Sequence, residues 1–152
     1  MSMDWTYFLP CLWAFLACIG FCVIMNVRTG ILYCCIGGTL GWLVYLLSML
    51  VVPNELIAYF VAAVVISAYS EMMARIRKCP VTGYLLISYI PLVPGAGIYY
   101  TMRYAMQGDT AMFMQRGLHT LGIACCLALG VLVVSSAVRT ATTLKRRRRD
   151  KR

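Results

Sequence analysis

The stretch Pro91-Leu92-Val93-Pro94-Gly95-Ala96-Gly97 interrupts a long apolar segment, so that segment cannot form one straight helix. Pro94 brings no amide hydrogen and its ring collides with the preceding turn, while each glycine costs about 1 kcal/mol against alanine in a helix interior. Ile98-Tyr99-Tyr100 follows at once, and helix can resume there. Inside a bilayer, broken backbone is tolerated only where protein or a water-filled cavity surrounds it. A helix broken at mid-depth is the usual pointer to a transport site.

That reading needs a membrane, and the composition provides for one. The 152 residues are 62% apolar, against about 45–50% in soluble domains, and the mean hydropathy is +0.80. Spans of about 20 residues leave room for four or five crossings and no extramembrane domain. The net charge of +9 does not signal a nucleic-acid partner, because eight of the fourteen basic residues lie between Arg139 and Arg152, beside the last apolar run. Such a tail anchors on the cytoplasmic face and can hold anionic lipids. The expected organisation is a single transmembrane domain over residues 1–138 and a basic cytoplasmic tail over 139–152.

The eight cysteines include no CxxC pair, seven of them fall in apolar runs, and His119 is the only histidine. They read as small, soft packing residues, with no metal and no cofactor expected. Cys18 and Cys22 share a helix face without changing that. The N-terminus carries Asp4 and no Lys or Arg before the first apolar run, so it does not read as a signal peptide. Phe15-Leu16-Ala17-Cys18 is only faintly like a lipoprotein cleavage site.

The pattern predicts an all-α integral membrane bundle of about five transmembrane helices, the fourth broken at Pro91–Gly97. The spans run over about 6–25, 31–52, 56–73, 81–107 and 118–138. Asn26-Val27-Arg28-Thr29-Gly30 and Pro53-Asn54-Glu55 are polar breaks, and Arg75, Arg77 and Lys78 form a basic loop. Gly37-x3-Gly41 lets two helices approach closely. Cys79-Pro80 opens the fourth span, which reaches Pro91 after about 16 Å of helix, near the middle of a core about 30 Å thick. Gly108-Asp109 ends it, and Thr110 to Gly117 reads as an amphipathic surface segment. The distribution of Lys and Arg places the tail, Arg75–Lys78 and Arg28 inside, with the Glu55 turn and the N-terminus outside. Only the loop with Arg116 runs mildly against that rule. A re-entrant hairpin over 81–107 would put either the tail or the basic loop on the wrong side. The expected location is therefore the cell (inner) membrane, multi-pass, N-terminus out and C-terminus in.

With five spans, Arg103 falls in the outer half of the membrane, where a charge costs about 2.5–3.5 kcal/mol and tends to face a cavity. Tyr99 and Tyr100 lie four and three residues before it, so all three can share a face. Arg103 could grip a carboxylate bidentately, with the half-helix starting near Gly97 offering free amides and a positive dipole end. Equally, Arg103 could snorkel to the interface while the tyrosines form an aromatic belt. Glu71 and Arg75 have the spacing of a structural ion pair, and Glu71 could also accept a proton near the inner mouth. Asp109 is a solvated cap or an outer proton-exchanging carboxylate. His119 reads as packing or surface. The chain has no nucleophile–base pair or metal cluster, and Gly95-Ala96-Gly97 is too weak a signal for a phosphate loop. Enzymatic activity is not expected.

Glu71-Met-Met-Ala-Arg75-x3-Cys-Pro80, then Ile90-Pro-Leu-Val-Pro-Gly95, Tyr99 and a closing Gln107-Gly-Asp109 together resemble the threonine/serine exporter family. The similarity covers about residues 6 to 138 and is to the family's C-terminal membrane half, which also occurs as a small separate subunit. Pro-Leu-Val-Pro-Gly followed by Gly-Asp is its moderately specific part; the other spans match in hydrophobic pattern only. The resemblance implies a proton-driven secondary exporter (an antiporter) of small hydroxy amino acids in the plasma membrane. Split members also resemble two-component exporters of small, succinate-type dicarboxylates, and either substrate carries a carboxylate. The motif carries over to Pro91, Pro94, Gly95, Tyr99 and Asp109, and to Glu71 and Arg75. Together with Gly97, Tyr100 and Arg103 these form the expected substrate-binding and proton-coupling set, with Arg75 as Glu71's structural partner. The family's other half is absent, so a second subunit is expected, as a hetero-oligomer, and a second copy of the chain is a further candidate partner. The Gly37-x3-Gly41 face is one place a partner could dock. A non-catalytic assembly or anchor protein held by the basic tail is the reading from a different class.

Overall fold

The computed structural model describes residues 9–26 and 30–150, except the side chains of residue 31 and residues 145–150. The start of the first expected span at 6–8, Arg28 in the first polar break, and the last two residues of the tail lie outside the described residues. The described chain is helical throughout, with no strand: α1 (Leu9–Ile24), α2 (Ile31–Val51), α3 (Glu55–Arg77), α4 (Val81–Tyr89), a 3-10 turn (Ile90–Leu92), α5 (Gly95–Gln107) and α6 (Thr110–Asp150). This is the expected all-α membrane bundle. Three helices, α2, α3 and α6, are long and apolar enough to cross a bilayer; the pair Val81–Leu92 and Gly95–Gln107, bent by 56°, is apolar enough to make a fourth, broken span or a re-entrant loop. The 16 residues of α1 are apolar but short of the usual spanning length.

Local chemistry sets the boundaries. Asn54 caps α3 by accepting the Leu56 amide at 3.1 Å. Gly108 ends α5 in the left-handed region (φ 74°), a conformation that suits glycine. Asp109 accepts the Met112 amide at 3.1 Å and so caps α6. Thr110–Gly117, expected as an amphipathic surface segment, is mostly exposed and forms the first two turns of α6. Residues 139–150 likewise continue α6 as helix.

Small residues set the packing, as expected where lipid removes most of the hydrophobic drive between helices. A Cβ at Gly41 would run into Ile66 and approach Leu92 to 3.1 Å. One at Gly37 would meet Ser88 and Tyr69, and one at Gly38 would meet Cys18. The Gly37-x3-Gly41 face is thus filled by α3 and α4 of the same chain and is not open to a partner. Cys18, Cys22, Cys34 and Cys35 are buried together between α1 and α2.

The same contacts define helix directions. Gly122 lies against Leu56 and Gly130 against Ala63, so α3 and α6 run parallel. Gly97 lies against Thr120 and Gly117 against Thr101, so α5 returns antiparallel to α6. The twelve residues of α6 before Gly122 consequently continue past the start of α3 by about 18 Å. They carry α5 with them as a helical hairpin.

Candidate functional site

The break is built from missing donors. Pro91 has no amide for the Ile87 carbonyl, which lies four residues earlier. Ile90 donates to that carbonyl instead, tightening the helix into a 3-10 turn, and the Cys18 thiol donates to it from α1 at 3.7 Å. Val93 then donates to Ile90 at 3.3 Å and Gly95 to Val93 at 2.7 Å, before α5 starts with Ile98 to Pro94 at 3.1 Å. Leu92 is fully buried between Gly41 and Ile66, the midpoints of α2 and α3. The turn therefore sits at mid-height in the bundle.

The two halves of the span are held differently. Ser88 donates to the Cys34 carbonyl at 3.2 Å, and the Tyr89 hydroxyl donates to the Ala63 carbonyl at 3.0 Å and lies 3.1 Å from Ser67 Oγ. These bonds fasten α4 to α2 and α3. Beyond the break, α5 has no buried residue and packs chiefly on α6.

A cavity of about 360 Å³ opens where α5 leaves the bundle, within the usual size range of ligand sites. Pro94, Gly95, Ala96 and Gly97 form one wall, and Trp42, Tyr59 and Ile123 lie deeper. Tyr45 stacks between Trp42 and Tyr59, with ring centroids 5.2 and 4.7 Å away, and stiffens that side. The indole Nε1 of Trp42 is buried and has no hydrogen-bond partner among the described residues. Glu55, Arg116 and His119 bring charge to the same cavity. Glu55 Oε2 lies 3.3 Å from His119 Nε2, an ion pair when the imidazole is protonated, and both side chains are partly exposed (41% and 44%). The Gly95 amide is taken by Val93, but the Ala96 and Gly97 amides precede the first bond of the helical ladder, as at any helix start, and they add the positive end of the dipole. One carboxylate, one guanidinium, one imidazole and the start of a helix thus border one space. Two further grooves, at Phe15–Leu43 and Val44–Val61, have apolar walls and no charged group.

Pro91, Pro94, Gly95, Gly97 and Tyr100 line this cavity. Tyr99 and Arg103 do not; both are exposed on α5, with Tyr99 packed edge-on against Tyr100 at 5.4 Å. Glu71 pairs with Arg75 at 3.9 Å near the far end of α3, and Asp109 serves as the α6 cap. Neither carboxylate lines the cavity. Sequence reasoning did not select Trp42, Glu55, Arg116 or His119 for the site. The available signal was Arg116 and His119, three residues apart on one helix face just before an apolar run. Glu55 as their counterpart, far away in the chain, had no local signature. Among the described residues no group of His, Cys, Asp or Glu could hold a metal ion.

A helical membrane bundle with one span broken beside a charged cavity has the build of a secondary transporter. The family model described as Threonine/Serine exporter, ThrE matches residues 10–137. The chain belongs to the threonine/serine exporter family, a family of membrane transporters and not of enzymes. Neither a curated protein nor a solved structure matches it significantly.

Proposed function

We propose that the chain is the membrane subunit of a proton-coupled exporter of threonine and serine, working with a separately encoded second subunit. The observation that carries this reading is the cavity at the helix break, which Glu55, Arg116 and His119 line together with Ala96 and Gly97 at the start of α5. Alternating access would use the contrast between the two halves: α4 stays fastened to α2 and α3, while α5 moves about Val93–Pro94 against α6. Glu55 and His119 supply groups that can exchange protons within the cavity itself. Glu71 and Asp109 would act only as relays toward the two faces. The chain would lie in the cell membrane with the Glu55 end outside. Arg75, Arg77 and the basic end of α6 would lie inside, against anionic lipid.

The test is efflux from cells preloaded with labelled threonine, serine or succinate, expressing this chain alone and then with a candidate partner. Faster threonine or serine efflux only with both chains, lost in Pro94→Ala, supports the reading. Faster succinate efflux alone would move the assignment to a dicarboxylate exporter. No change for any substrate, with both chains inserted and paired, would favour an assembly or anchor role.

A further inference from the structure

We infer that the cavity beside the break recognises the zwitterionic head of an α-amino acid, with Arg116 and the α5 amides taking the carboxylate and Glu55 taking the ammonium in place of His119. This rests on the exporter reading for its substrate class and adds the residues that read it.

The cavity joins opposite charges from separate elements. Glu55 begins α3, Arg116 and His119 lie one turn apart on α6, and Ala96 and Gly97 open α5. A guanidinium and helix-start amides suit a carboxylate. A substrate with two carboxylates would place its second one against Glu55, which repels it. An α-amino acid matches both ends. The His119–Glu55 contact across the cavity is what the incoming ammonium replaces. An ammonium and a protonated imidazole repel each other at one carboxylate, so the incoming ammonium displaces His119 from Glu55. The Trp42 ring lines the same cavity and gives the site an aromatic wall beside its charged groups. Glu55 thus becomes the residue that separates amino acids from dicarboxylates.

The experiment measures binding of labelled L-threonine to the full chain in lipid nanodiscs. Competitors are unlabelled L-threonine, N-acetyl-L-threonine, which lacks the ammonium, and L-threonine amide, which lacks the carboxylate. In the wild type each blocked analogue should compete at least tenfold less well than threonine. Glu55→Gln should bind threonine at least tenfold more weakly and should no longer distinguish it from the N-acetyl form. Glu55→Asp should recover part of that discrimination, and Arg116→Gln should lose discrimination against the amide instead. A general loss of structure would weaken all competitors together and would not exchange one preference for another. Equal competition by the N-acetyl form in the wild type, unchanged discrimination in Glu55→Gln, or absence of threonine binding would each overturn the inference. The exporter reading would then stand or fall on cellular efflux alone.

Discussion

The Cys18 thiol donates to the Ile87 carbonyl at 3.7 Å, the carbonyl that Pro91 deprives of its ordinary helical partner. A cysteine on α1 thus supports the broken span from a neighbouring helix. Cys18 is fully buried and sits where Gly38 leaves room for it. Cys18→Ala should cost about 1–3 kcal/mol through the lost contact volume and weak hydrogen bond. Cys18→Leu should cost more, because a larger side chain is driven against Gly38. Thermal unfolding in detergent would rank the two; equal stability of all three proteins would show that the contact carries no weight.

Trp42 makes the opposite case. Its indole nitrogen is buried with no partner among the described residues, so Trp42→Phe removes an unsatisfied donor and keeps an aromatic ring in place. Stability should stay level or rise by up to about 1 kcal/mol. A clear loss of stability would mean that the indole N–H is satisfied within the fold.

The glycines divide sharply by surroundings. A Cβ at Gly41 would overlap Ile66 and crowd Leu92, so Gly41→Val should destabilise by about 1–3 kcal/mol or more by overpacking. Gly83 sits inside α4 with nothing within 4 Å of its would-be Cβ. Gly83→Ala should therefore be neutral or stabilising by about 0.4–1 kcal/mol. Parallel melting curves of the two variants test the packing of α2 against the break.

Arg103 and Arg116 exchange importance between sequence and structure. Arg116 lines the cavity, whereas Arg103 is exposed on α5 and does not. Arg116→Gln should reduce threonine efflux by more than tenfold, and Arg103→Gln by a smaller factor. A larger loss from Arg103→Gln would place the carboxylate site on the outer face of α5.

Fastening α4 depends on hydroxyls. Tyr89→Phe removes the donor to Ala63 and the contact with Ser67. The Ala63 carbonyl keeps a second donor in Ser67 at 2.7 Å, so the cost should be close to the average of about 0.6 kcal/mol for hydrogen bonds between membrane helices. Chemical denaturation in mixed micelles would measure it, and a cost above about 2 kcal/mol would assign Tyr89 a larger structural part.

The break at Pro91–Gly97 was legible in the chain because proline and glycine act locally: a missing amide or a missing Cβ alters the backbone wherever it falls. The apolar runs marked the helices for a similar reason, since each must bury its own backbone polar groups. Boundaries were less legible at residue 110. There, Asp109 caps a helix that runs without interruption from the exposed Thr110–Gly117 segment into the last apolar run, a continuity that the polar residues did not reveal. The grouping of Tyr99, Tyr100 and Arg103 assumed that three residues close on one helix face share a neighbour. The structure puts Tyr100 at the cavity and leaves Tyr99 and Arg103 exposed.

Sequence alone was enough to show a helical membrane protein with an apolar segment broken at two prolines, and it carried the family likeness with it. Those properties follow from hydropathy and backbone chemistry, which act over a few residues. The partnership of Glu55 with His119, the entry of Arg116 into the cavity and the unpaired Trp42 nitrogen came only from tertiary structure. They depend on α3 running parallel to α6 and on α5 folding back along α6. Those alignments are set where Gly122, Gly130 and Gly97 let helices distant in the chain approach one another.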